Sequence, residues 1–113
     1  MRVTSSLWVA AYVRRCHAEG AFAVVVRRGA EEAGAIIVTV DRLDWTSDLY
    51  LPAPQSAFDD ARPDDRLFLR VLERASPEDI ATRLASERKF DPDIWIVTVE
   101  DRQGRSFLEL AGV

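Results

Sequence analysis

The sequence has 113 residues, enough for one domain (1–113) with a contiguous core, and its 48% hydrophobic and 30% charged residues set it apart from disordered and membrane chains. Its formal charge is −4, split between five Arg and one Glu in residues 1–30 and ten basic against eighteen acidic residues in 31–113. That acidic total argues against a nucleic-acid binder that works by neutralising phosphates. The single Cys16 cannot form an internal disulfide.

Thr4, Ser5 and Ser6 offer N-cap oxygens, and residues 7–19 run without Gly or Pro to Gly20, which predicts a helix with a start and a stop. Its apolar positions are broad, including Leu7, Trp8, Val9, Tyr12, Val13 and Cys16. Either the helix is sandwiched inside the domain, or part of it meets another chain. The apolar run from Leu7 to Val13 is too short to cross a bilayer. Arg14 and Arg15 stand where a signal-peptide cleavage site would be. A cytoplasmic protein without a membrane anchor is the expectation.

AFAVVVRR at 21–28 and AIIVTVDRL at 35–43 read as strands, followed by a third at 48–51 that stops at Pro52. Between the first two lies RRGAEEAGA, residues 27–35. A phosphate-binding loop needs converging N–H groups at a helix N-terminus, whereas here a strand follows and two glutamates sit within. A hairpin connection, with glycines at positive φ, is the expected role. Residues 52–65 carry three prolines and four aspartates and read as a surface loop, with room for one helical turn around 56–61.

RLFLRVL at 66–72 alternates as a strand does, although a helical period also fits. Ser76-Pro77-Glu78-Asp79 then opens a helix with an N-cap serine, a proline at its first position and acids at the dipole's positive end. It should reach Glu87 or Arg88 before Pro92. IWIVTV at 94–99 is a strand, Arg102-Gln103-Gly104 a turn, and 106–110 a return strand. The predicted order is α-β-β-β-β-α-β-β. This is an α+β fold with a mainly antiparallel twisted sheet of about six strands and two helices packed on it. IVTVDR at 37–42 and IVTVEDR at 96–102 echo each other. A duplicated half-domain explains the echo, but two Val-rich strands also match by chance, and chance is the simpler account.

Few residues suggest chemistry. Arg14, Arg15, Arg27 and Arg28 could grip an anionic metabolite if they converged, or could pair with nearby acids. Asp59, Asp60, Asp64 and Asp65 lack the EF-hand spacing and read as a solvated loop, so no metal is assigned. The one histidine, His17, adjoins Cys16 rather than facing it, and no catalytic set or cofactor motif emerges. Trp45, in the polar turn DWTS, either folds back over the sheet edge or stands out as an anchor for a partner.

The segments RRGAEEAGAI (27–36), YLPAPQSAFDDARPDDR (50–66) and RKFDPDIWIVTVED (88–101) resemble a family of small bacterial proteins, domain-of-unknown-function family fourteen ninety-one. The resemblance spans nearly the whole chain. It implies a compact stand-alone protein and brings no activity, cofactor or catalytic residue. A non-enzymatic binding or regulatory module, acting on a protein partner or by self-association, is the leading expectation. A small enzyme or ligand-binding protein for an anionic metabolite, using the amino-terminal arginines, is the alternative.

Overall fold

A computed structural model describes residues 3–54 and 66–111. The predicted helical turn at 56–61 and the four loop aspartates lie outside the described residues. Helix α1 spans Ser5–Ala18 and α2 spans Pro77–Phe90. The strands are β1 (Phe22–Arg27), β2 (Ile36–Asp41), β3 (Ser47–Pro52), β4 (Phe68–Ala75) and β5 (Trp95–Glu100). They form one sheet in the order β1-β5-β2-β3-β4.

Both helix starts follow from local chemistry. Thr4 accepts from the Leu7 N–H at 3.2 Å, and Ser76 accepts from the Asp79 N–H at 3.1 Å. The helices take opposite faces of the sheet. Against α1, the side chains of Val9, Tyr12 and Cys16 meet Ile36, Val38, Val40, Trp95, Val97 and Val99. Against α2, Ile80 and Leu84 meet Ile37, Leu49 and Ile96. A sheet covered on both faces explains why β2 is almost wholly buried and reads as a continuous apolar run.

The sheet is mixed, not mainly antiparallel, and has five strands among the described residues. β2 and β5 run parallel and in register, from Ile36 beside Trp95 to Asp41 beside Glu100. β5 therefore separates β1 from β2, and residues 27–35 close no hairpin. The expected return strand at 106–110 is also absent. Leu110 makes one isolated bridge to Phe68, while Phe107 and Leu108 turn onto the α1-side core and Ser106 O accepts from the Tyr12 hydroxyl at 2.5 Å. Local alternation suits a strand there, but the outer position beside β5 is already filled by β1.

The connection between β1 and β2 arches over the start of β5. Ala30 N–H donates to Asp93 O at 2.9 Å, Trp95 N–H donates to Ala35 O at 2.8 Å, and the Trp95 indole donates to Ala30 O at 2.8 Å. Gly29 and Gly34 are needed for clearance rather than for positive φ. A Cβ on Gly29 would stand 2.6 Å from Ile94 C, and one on Gly34 would stand 2.5 Å from Asp93 O. The arch also meets the amino end of α1. Ser5 N–H donates to Glu32 O at 3.0 Å, Ser6 N–H to Glu31 O at 2.9 Å, and the Ser5 hydroxyl to Gly34 O at 2.6 Å. Helix N–H groups that could hold an anion are thus held by the arch's own carbonyls.

Helix α2 packs on β3 and β4, so the α2 side of β1 stays open: Phe22, Val24 and Val26 are exposed. On the outer edge of β1, the Ala23 N–H donates to His17 Nε2 at 3.1 Å, a side-chain cap on an edge that no strand covers.

Two substitutions check this account by urea denaturation. Gly29→Ala should cost about 3 kcal/mol, because backbone rather than a movable side chain blocks the new methyl. Ser76→Ala should cost only about 1 kcal/mol, the value of a lost N-cap.

Candidate functional site

The in-register pairing of β2 and β5 sets matched residues side by side on the α2 face. Ile37 adjoins Ile96, Thr39 adjoins Thr98, and Asp41 adjoins Glu100. The hydrophobic layer beneath α2 ends at the threonines, whose hydroxyl oxygens are 2.8 Å apart. By the two-residue strand period, the next residues on this face are Asp41 and Glu100, paired in register on strands about 4.8 Å apart. Like charges so placed are destabilising unless something lies between them.

Across from this strip, Pro77, Ile80, Ala81 and Leu84 of α2 complete a groove of about 580 Å³. Leu43, Trp45 and Ser47 form its rim. Its size suits a small ligand or the side chains of a docked segment. Among the described lining residues Asp41 is the only charged one, and none is basic.

The turn that carries the rim is strained and well anchored. Leu43 and Trp45 both adopt left-handed backbone, with φ of 63° and 68°. Each such non-glycine residue costs about 1–2 kcal/mol. Asp41 Oδ1 accepts from Leu43 N–H at 2.8 Å, and Asp44 Oδ1 accepts from the Thr46 N–H at 3.0 Å and hydroxyl at 2.5 Å. Those bonds from Thr46 hold the Asp44 carboxyl below the usual range. Beneath the turn, Arg42 and the fully buried Asp48 form an ion pair at 2.7 Å. Asp48 also accepts from the Arg74 N–H at 2.8 Å. Gly104 closes over the Arg42 guanidinium, since a Cβ there would lie 2.5 Å from Arg42 Cζ. The Gly104 turn is in turn fixed by Asp101, which accepts from the Arg105 backbone and guanidinium at 2.8–3.1 Å. Arg105 keeps the Asp101 carboxyl below its ordinary range.

The structure places Trp45 at the groove rim with 86% of its surface exposed. The four arginines lie elsewhere. Arg27 donates to Ile94 O at 2.6 Å and Pro92 O at 2.7 Å, so it ties β1 to the start of β5. Arg28 stacks over the Trp95 ring, 4.9 Å from its centroid. Arg14 and Arg15 are exposed on α1, and Arg15 borders a smaller cleft of about 210 Å³ with Trp8, Tyr12 and Phe107. Thr39, Asp41, Thr98 and Glu100 were not singled out by sequence reasoning. Their signal was the echo between 37–42 and 96–102, which aligns Thr39 with Thr98 and Asp41 with Glu100.

The family model for a protein of unknown function, DUF1491, matches residues 3–109. The chain belongs to the DUF1491 family. A crystal structure of a DUF1491 family protein from Caulobacter crescentus CB15 is similar to it, with a TM-score of 0.79, 35% identity and full coverage of both chains. The solution structure of protein Atu0922 from A. tumefaciens has a TM-score of 0.85 and 41% identity, covering 100% of this chain and 98% of that one. Comparison with curated proteins gives no match. The DUF1491 relationship shows the fold and carries no activity. No helix among the described residues is long and apolar enough to cross a membrane.

Two measurements test how the rim is held. Arg42→Ala leaves the Asp48 carboxylate buried without its counter-charge and should cost about 3–5 kcal/mol in chemical denaturation. Because the folded state lowers the Asp101 pKa, its contribution is complete above the ordinary carboxylate value of about 3.9 and fades as pH falls through the lower folded value. Asp101→Asn should therefore flatten the acid side of a stability–pH profile. An unchanged acid slope would show that the Arg105 contact contributes nothing.

Proposed function

We propose that this DUF1491 chain is a non-enzymatic binding module that acts on a partner protein through the groove beside α2, with Trp45 as its anchor. The observation that carries this reading is an indole 86% exposed, on a left-handed turn fixed by a buried ion pair, at the rim of a 580 Å³ groove. A large aromatic carried on an anchored turn at a concavity offers a partner a broad contact surface. The open row of Phe22, Val24 and Val26 extends the same face toward the sheet edge.

The reading that uses the arginines on an anionic metabolite has less support. Arg27 and Arg28 already serve backbone carbonyls and the Trp95 ring, and the amino end of α1 is occupied by carbonyls of the arch. A cytoplasmic setting fits the buried, unpaired Cys16.

Affinity capture and light scattering of the wild type and Trp45→Ala test the proposal. The partner, or a second copy if the chain self-associates, should be held about thirtyfold more weakly by the variant, a loss of about 2 kcal/mol. Folding stability should stay within about 0.5 kcal/mol, as for an exposed side chain. Equal retention by both proteins would refute the assignment.

A further inference from the structure

The groove combines an apolar wall, an aromatic rim and a floor that ends in the carboxylate of Asp41. Asp41 lines it directly, and Glu100 neighbours Asp41 in the parallel register on the same face. One step inward, the Thr39 and Thr98 hydroxyls are turned toward each other. No basic side chain is found among the described lining residues, and Arg42 in the rim turn is committed to Asp48 on the other side of that turn. Asp44 adds another anionic group beside Trp45, held charged by the bonds from Thr46.

This pattern has one complementary occupant. A single cation entering beside Asp41 gains from its carboxylate and from that of Glu100 next to it in the register. The Trp45 ring offers such a cation an electron-rich face. Beyond the carboxylates, apolar surface continues on both sides. Leu84 and Ile80 line the α2 wall, while Val24 beside Thr98 and Phe22 beside Glu100 continue across the sheet. Val24 is exposed, so this apolar ground is open to a partner, while the Phe22 ring stacks on His17 of α1. A lone small amine would leave those surfaces uncovered. A protein segment with apolar residues flanking a basic one covers them.

We infer that the groove receives an arginine or lysine side chain, carried between apolar residues on a segment of the partner protein. The inference rests on the reading of the groove as the binding surface and adds the chemistry of what enters it. Selectivity then comes from charge at the Asp41–Glu100 end, and contact area from the Leu84 and Val24 sides.

The test is a titration of ¹⁵N-labelled full chain with five-residue blocked peptides that carry arginine, lysine, glutamine or glutamate between two leucines. The arginine and lysine peptides should shift the amides of residues 39–41 and 98–100 and the Trp45 indole N–H. The glutamine peptide should bind about tenfold more weakly, as expected for loss of a charge-assisted contact, and the glutamate peptide not measurably. Asp41→Asn, which keeps an acceptor for the Leu43 N–H, and Glu100→Gln should each weaken the arginine peptide about tenfold without lowering thermal stability. Equal binding of the glutamine and arginine peptides at these residues overturns the charge assignment while the groove remains a binding surface. Peptides that shift nothing, when Trp45→Ala still releases the captured partner, also overturn it. Binding of n-butylguanidine as tight as that of the arginine peptide would mean a site for a small cation, which overturns the assignment to a protein segment.

Discussion

β2 and β5 stand fifty-nine residues apart along the chain, yet they lie parallel and in register at the centre of the sheet, and the other elements take their places from that pairing. With β5 inserted between β1 and β2, the connection 28–35 must pass over the end of β5. It does so at backbone contact distance, which leaves room for glycine alone at positions 29 and 34. The same arch supplies carbonyls to the first N–H groups of α1, so the helix is docked where the strands are joined. The loop whose glycines suggested a hairpin connection is instead the clasp of the fold.

The pairing also produces the groove. Parallel strands in register set like beside like, so the twice-written run Ile-Val-Thr-Val-acid yields an isoleucine pair, a threonine pair and a carboxylate pair along one face. The first is covered by Ile80 of α2, and the second closes on itself through a hydroxyl contact. Asp41, with Glu100 beside it in the register, ends the floor beyond them. The rim turn answers to a different constraint. Two left-handed residues without glycine are unfavourable on their own, and the Arg42–Asp48 pair, buried below them, sets the turn's geometry. A buried ion pair adds little net stability relative to an apolar core, but breaking it leaves an unmatched charge, and that penalty holds the turn in one shape.

What was legible in the sequence was local. Thr4 and Ser76 announce their helices because an N-cap acts over three residues, and β1, β2 and β5 are recognisable from β-branched runs. Strand order was not legible, since it depends on which distant run pairs with β2, and adjacency along the chain favours β1. The echo of 37–42 and 96–102 was visible, but that the two runs lie side by side in parallel register was not. Gly29 and Gly34 were recognisable as sites where only glycine serves, though the reason is the approach of Asp93 and Ile94 rather than a turn. Nothing in DRLDWTSD signals left-handed backbone at Leu43 and Trp45, because the Arg74 N–H and the Gly104 face that steady the turn come from later in the chain. Arg27 is engaged by carbonyls, which any sequence offers everywhere.

A centre strand drawn from near the carboxyl end has a bearing on biosynthesis. While the ribosome is still making α2, β1 and β2 have emerged without the segment that joins them, and neither can take the other as its neighbour in the native arrangement. Closing so large a loop is entropically slow, and unpaired apolar strands are prone to stick to one another meanwhile. The amino-terminal half can therefore complete its sheet only once residues 95–100 are available to stand between β1 and β2.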